Sequence, residues 1–180
     1  MTMTLKSTPD RYGMVAITIH WVSAALILIL LITGFRAAGA EDAAGKAAWL
    51  RIHLPVAVLV LMLTLFRIVW WLAIDRKPDL IAGSPPSQER VARAVHLVLY
   101  IVVLGMFSSG VGMTLASGAA PIIFGAEGSA LPDFWRYPPR VPHGLGARLL
   151  VGLLIFHVAA ALFHHYVRND RLLRRIWYAD

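Results

Sequence analysis

The chain contains no cysteine. That absence excludes disulfides, thiolate-bound metals, cysteine-held iron–sulfur clusters and prosthetic groups attached through thioethers. Charge is scarce as well: 15% of residues are Asp, Glu, Lys or Arg, and the 10 acidic side chains are outnumbered by 17 basic ones. Internal repeats are lacking, and only the short alanine-rich patch after Arg36 approaches low complexity. What the sequence has in excess is apolar surface. With 58% hydrophobic residues and a mean hydropathy of +0.67, it holds more than one soluble core could bury.

Four mostly apolar runs, near Val15–Phe35, His53–Ile74, Val95–Ala116 and His143–Tyr166, are each long enough to cross a hydrocarbon layer about 30 Å thick. The first is longer than a signal-peptide core and is followed by no convincing cleavage site, so it reads as a mature span. Basic residues cluster in three places: Lys6 and Arg11; Arg76, Lys77, Arg90 and Arg93; and Arg168, Arg171, Arg174 and Arg175. An even number of spans puts all three on one side, which the positive-inside rule makes the cytoplasm. The expectation is an all-α integral membrane four-helix bundle in membrane lipid, one domain over 1–180, with both termini cytoplasmic. The formal charge of +7 then sets topology, and no nucleic-acid partner is expected. The linker DRKPDLIAGSPPSQER reads as an irregular cytoplasmic loop, and the outer loop from Ser117 to Pro142, with Phe134, Trp135 and Tyr137, is expected to pack over the mouth of the bundle.

Histidines punctuate these spans. His143 and His157 are fourteen residues apart. Four helical turns take about 14.4 residues and rise about 21 Å, so both rings share one face, one in each leaflet. Ionisable rings in such a segment are costly unless something binds them, and imidazole is a common axial ligand of haem iron. Topology places His20 and His157 at one inner depth and His53 and His143 at one outer depth. The four rings therefore sort into two pairs suited to two bis-histidine haems.

Other residues fit the same geometry. Gly34 follows His20 by fourteen residues and faces the outer level, where a missing side chain admits a flat macrocycle. Arg67 follows His53 by fourteen and needs an anion at the inner level, for which a haem propionate is suitable. His96 starts the third span without a free partner and reads as a residue behind a ligand or beside quinone, or as interfacial packing. His164 and His165 read as interfacial histidines. Trp70, Trp71 and Tyr166 fall where an aromatic belt would lie, and Trp21 is suited either to packing on a macrocycle or to facing lipid. Arg36, Lys46, Arg51, Arg136, Arg140 and Arg148 form a basic outer rim, of which Arg51, Arg136 and Arg140 are the candidates for attracting an anion to the site.

The segments RYGMVAITIHW, RAVHLVLY and HGLGARLLVGLLIFHVAAALFHHYVRNDRLLRR resemble the bacterial cytochrome b561 family, small di-haem membrane cytochromes related to the cytochrome b subunits of nickel hydrogenases. The resemblance covers nearly the whole chain. It implies the bacterial inner membrane, two haem b groups with iron ligated by His20 and His157 and by His53 and His143, and exchange of electrons with ubiquinone. The second span departs from the pattern, with Pro55 and Ala57 after His53 where the family often has a glycine four residues after the ligand; Pro55 is expected to be tolerated in the first helical turn. Some members of the family act as superoxide oxidases, passing electrons from periplasmic superoxide to ubiquinone, and the basic rim suits that anionic donor. The alternative is a cytochrome subunit fed by a partner dehydrogenase or hydrogenase docked on residues 117–142. A haem-free transporter or assembly factor is the rival from another class. The residues leave open whether the chain forms a homodimer.

Overall fold

The computed structural model describes residues 4–79, 85–125 and 130–178, and among these it is helical with no strand. In order come α1 (Met14–Ala38), α2 (Ala43–Val69), α3 (Pro86–Ser117), the short α4 (Ala119–Ile123) and α5 (Arg140–Leu162). Single π-helical turns extend α2 over Trp70–Ile74 and α5 over Phe163–Val167, while 3₁₀ turns cover Phe134–Arg136 and Leu172–Ile176. Four helices are long and apolar enough to cross a membrane. In hydrocarbon every backbone N–H and C=O must be satisfied within the segment, which is why these runs form helices. Only 22, 17, 6 and 6% of their most apolar stretches are buried, so most of the leucine, isoleucine and valine faces outward, as lipid permits and water does not.

Two of these helices begin well before the apolar runs do. α2 starts ten residues ahead of His53 because Asp42 caps it, its carboxylate accepting from the Gly45 N–H at 2.7 Å. Pro55 therefore lies in the middle of α2, which corrects the expectation of a first-turn proline: it denies the Arg51 carbonyl its intrahelical donor, a defect that membrane helices tolerate when neighbours compensate. α3 starts at Pro86, where the missing N–H costs nothing, and its first turn carries Glu89, paired with Arg93 at 2.5 Å. The last part of the expected irregular linker is thus helical, whereas residues 75–79 are irregular and 80–84 lie outside the described residues.

The chain forms two compact units. The terminal unit comprises Met1–Ala24, Leu63–Tyr100 and Gly152–Asp180, and the central unit Ala25–Met62 and Ile101–Val151. Each draws one stretch from each of α1, α2, α3 and α5. In the terminal unit, three irregular segments are sewn together by backbone groups. Arg175 donates from Nε to the Asp10 carbonyl at 2.8 Å, and from a terminal nitrogen to the carbonyls of Pro9 at 3.1 Å and Asp79 at 2.7 Å. Nearby, Asp75 accepts from the Ser7 N–H and hydroxyl, the Arg76 N–H and the Trp70 indole. Trp70 is buried by this role, so of the expected aromatic belt it is Tyr166 that lies exposed.

Candidate functional site

In the terminal unit, α1 and α5 present His20 and His157 to each other with ring centroids 6.3 Å apart. A metal–imidazole bond of about 2 Å plus a ring radius of roughly 1.1 Å puts two imidazoles trans to one metal at about 6.2 Å between centroids. His96 approaches His157 more closely, at 5.3 Å and nearly edge-on. That spacing is too short for two imidazoles trans to one metal, and the His96 Nδ1 lies 2.7 Å from the Ala92 carbonyl of its own helix. His96 therefore packs behind His157. Trp21 stands edge-on to His20 at 5.2 Å, donates its indole N–H to the Ile176 carbonyl at 2.9 Å and meets Trp177 at 5.1 Å. It fastens the 172–178 segment beside the histidine. Half-buried Arg67 acts electrostatically on His20, His96 and His157 and on the hydroxyls of Tyr12 and Tyr100. Among the described residues no carboxylate pairs with it.

The central unit repeats the arrangement with α2 and α5. His53 and His143 also stand 6.3 Å apart between ring centroids. Here both Nδ1 atoms are held. The Thr33 hydroxyl donates to the Ile29 carbonyl at 2.7 Å, so its oxygen is the acceptor for His53 Nδ1–H at 3.0 Å. His143 Nδ1 lies 3.0 Å from the Ser109 oxygen and 3.1 Å from the Met106 carbonyl. A carbonyl can only accept, so that nitrogen carries the proton. In both rings Nε2 is left with its lone pair, the form an axial ligand needs. A glycine follows each hydroxyl residue: a Cβ on Gly34 would lie 3.1 Å from His53 Cε1, and one on Gly110 would lie 3.2 Å from His143 Cε1. Gly34 thus makes room for an imidazole as well as lining the space beyond it.

That space is a cavity of about 450 Å³ lined by His53, His143, Gly34 and Gly110 and by apolar side chains of all four long helices. Lys46, Arg140 and Arg148 also line it, with Asp133 the single carboxylate among the described residues. Arg140 lies over the Trp135 ring at 4.4 Å. The other two rim candidates are bonded to residues that line it: Arg51 donates through Nε to the Ile123 carbonyl at 2.5 Å, and Arg136, 83% exposed, pairs with Asp133 at 3.7 Å. Lys46 and Arg148 belonged to the basic rim read from the sequence but were not singled out as site residues. The outer loop contributes α4 and the 134–136 turn, while residues 126–129 lie outside the described set.

His164 and His165 stay apart from both pairs. His164 is bonded through Nδ1 to the Asp170 carboxylate, and its Nε2 lies 3.1 Å from the Gln88 amide nitrogen. Arg168 donates to the other end of that amide at 3.0 Å, so His164 closes a polar clasp at the end of α5. Among the described residues no three or more His, Asp or Glu side chains converge as a bare metal ion would require. Histidines in twos suit an iron whose other positions are filled by a macrocycle. A polytopic helical membrane protein with opposed histidine pairs is, as a class, a membrane-embedded b-type cytochrome.

The comparisons with known proteins agree. Residues 11–179 match the prokaryotic cytochrome b561 family, to which the chain belongs. It is 28% identical to cytochrome b561 homolog 2 of Escherichia coli (strain K12), over 97% of this chain and 95% of that one. It is 30% identical to cytochrome b562 of Cereibacter sphaeroides, over 92% and 94%. It is 27% identical to the probable superoxide oxidase CybB of Yersinia pestis, over 92% and 95%. The protein is a multi-pass, b-haem electron-transfer protein of the bacterial inner membrane.

Proposed function

We propose that this protein oxidises superoxide and reduces ubiquinone, with one haem b held by His20 and His157 and a second by His53 and His143. The observation that carries the reading is the common 6.3 Å between ring centroids in both pairs, the spacing of two imidazoles about one iron. Haem b bound there supplies one-electron exchange at a histidine-ligated iron. Two superoxide ions each give up one electron and leave as dioxygen. Ubiquinone takes up both electrons and two protons and leaves as ubiquinol.

The chain's own residues position and select. Thr33, Ser109 and the Met106 carbonyl fix the tautomer of the central pair, and Gly34 and Gly110 leave room for its rings. Lys46, Arg140 and Arg148 gather positive charge against the 450 Å³ cavity, where it holds propionates and draws an anion inward. Arg67 offers the same service to a propionate beside the terminal pair. The resemblance to a probable superoxide oxidase supports the choice of donor, and the three basic clusters near the termini and the 75–93 linker support cytoplasmic termini, with the cavity toward the periplasm.

The test is a reduced-minus-oxidised spectrum of the detergent-purified protein with a haem-to-protein ratio, recorded before and after superoxide and then ubiquinone. Two b haems reduced by superoxide and reoxidised by quinone are expected. Two haems indifferent to superoxide would transfer the role to a subunit fed by a dehydrogenase, and a colourless protein would end the reading altogether.

A further inference from the structure

Two hydroxyl–glycine dipeptides of the central unit, Thr33-Gly34 on α1 and Ser109-Gly110 on α3, each serve one histidine on another helix. The hydroxyl meets Nδ1 at 3.0 Å in both, and the glycine abuts Cε1 in both. Thr33 is 3% exposed. Its own hydrogen is spent on the Ile29 carbonyl, so its oxygen faces His53 as an acceptor only. We propose that Thr33 and Ser109 are potential-setting residues for the haem between His53 and His143, a role that rests on the ligand assignment above.

The physical cause is polarisation of the ring. An Nδ1–H that donates to an oxygen acquires imidazolate character, which makes Nε2 a stronger electron donor to iron. A more electron-rich ligand stabilises the ferric state over the ferrous one, and the potential falls. Both histidines keep a backbone carbonyl when the hydroxyl is removed, His143 that of Met106 at 3.1 Å and His53 that of Leu30. The two hydroxyls should therefore act in the same direction and to a similar extent.

The experiment is a spectroelectrochemical titration of the purified haem-loaded protein, with the haem at His20 and His157 as internal reference and H53A used to identify the other component. Thr33→Val, close in shape but without the acceptor, is expected to raise that component's potential, so that at the wild-type midpoint its reduced-to-oxidised ratio rises about threefold to tenfold, tenfold being about 59 mV for one electron. Ser109→Ala should move it in the same direction by a similar amount, and Thr33→Ser should restore the wild-type value. An unmoved midpoint in T33V with full haem content, or a T33S shift as large as that of T33V, overturns the proposal. Should T33V fail to retain haem, S109A decides, since a wild-type midpoint there is equally fatal. H53A retaining both haems would instead overturn the ligand assignment, and the proposal with it.

Discussion

A methyl group at Gly110 would sit 3.2 Å from His143 Cε1, tighter than nine in ten real Cβ contacts, so the ring that Ser109 and Met106 hold must give by a few tenths of an ångström. Overpacking of this kind costs about 1–3 kcal/mol, and it falls here on a histidine proposed to hold iron. Gly110→Ala should therefore lower the haem-to-protein ratio by up to one haem per chain while the helical circular dichroism persists. The histidines around the terminal pair admit a sharper comparison. At 6.3 Å from His157, His20 is the partner proposed to share a metal with it; at 5.3 Å, His96 is a packing neighbour. His157→Ala is expected to lose one b haem and His96→Ala to keep both, as read from pyridine haemochrome spectra. His143 and His157 could be read together from the sequence because a fourteen-residue interval is a property of one helix, independent of what it packs on, while His20 and His53 took their depths from the topology of the spans. Thr33 and Ser109 could not, because their link to His53 and His143 depends on the packing of separate helices. The one available signal was the repeated pairing of a hydroxyl residue with glycine.

The helices end and begin where local chemistry, more than hydropathy, decides. Asp42 and Pro86 start α2 and α3 in polar sequence that an apolar window passes over, and a reading by capping residues would have found both. Beyond the π-helical turn at Trp70–Ile74, Asp75 marks where the second span stops. Burial pushes its carboxyl pKa up, but the hydrogen bonds from Ser7, Arg76 and Trp70 outweigh this and hold it below its ordinary value of 3.8. A pKa lowered by folding stabilises the fold above the unfolded value and ceases to as pH falls through the folded one. The advantage in melting temperature of the wild type over Asp75→Asn should be constant from pH 5 to 8, by the roughly 3.9 reference for a free aspartate, and should shrink below about pH 4. An advantage that instead grew in acid would assign Asp75 a different role.

For the molecule as a whole, the class of protein was legible and much of the site was too, because four apolar runs, three basic clusters and four histidines are all one-dimensional patterns. The distribution of roles within the basic rim was not: Arg51 braces a loop carbonyl, Arg136 is exposed beside Asp133, and Lys46 and Arg148 join Arg140 at the cavity. Sequence charge alone cannot tell a brace from a lining. Sidedness is open to direct measurement. Fusions at residue 180 to a reporter fluorescent only in the cytoplasm should be bright, and fusions to one active only in the periplasm should be silent; the reverse pattern would invert the proposed orientation and turn the cavity toward the cytoplasm.

The fastening made by Arg175 behaves differently from the one at Asp75. Its acceptors are backbone carbonyls of Pro9, Asp10 and Asp79, groups that neither titrate nor carry a net charge for salt to screen. Acidification that loosens the carboxylate knot leaves this clasp closed, and so does high ionic strength. Nor could lysine replace it, since one ammonium point lacks the planar fork that reaches two segments at once. A membrane protein held at its polar edge in this way keeps its terminal segments in register across changes of pH and salt.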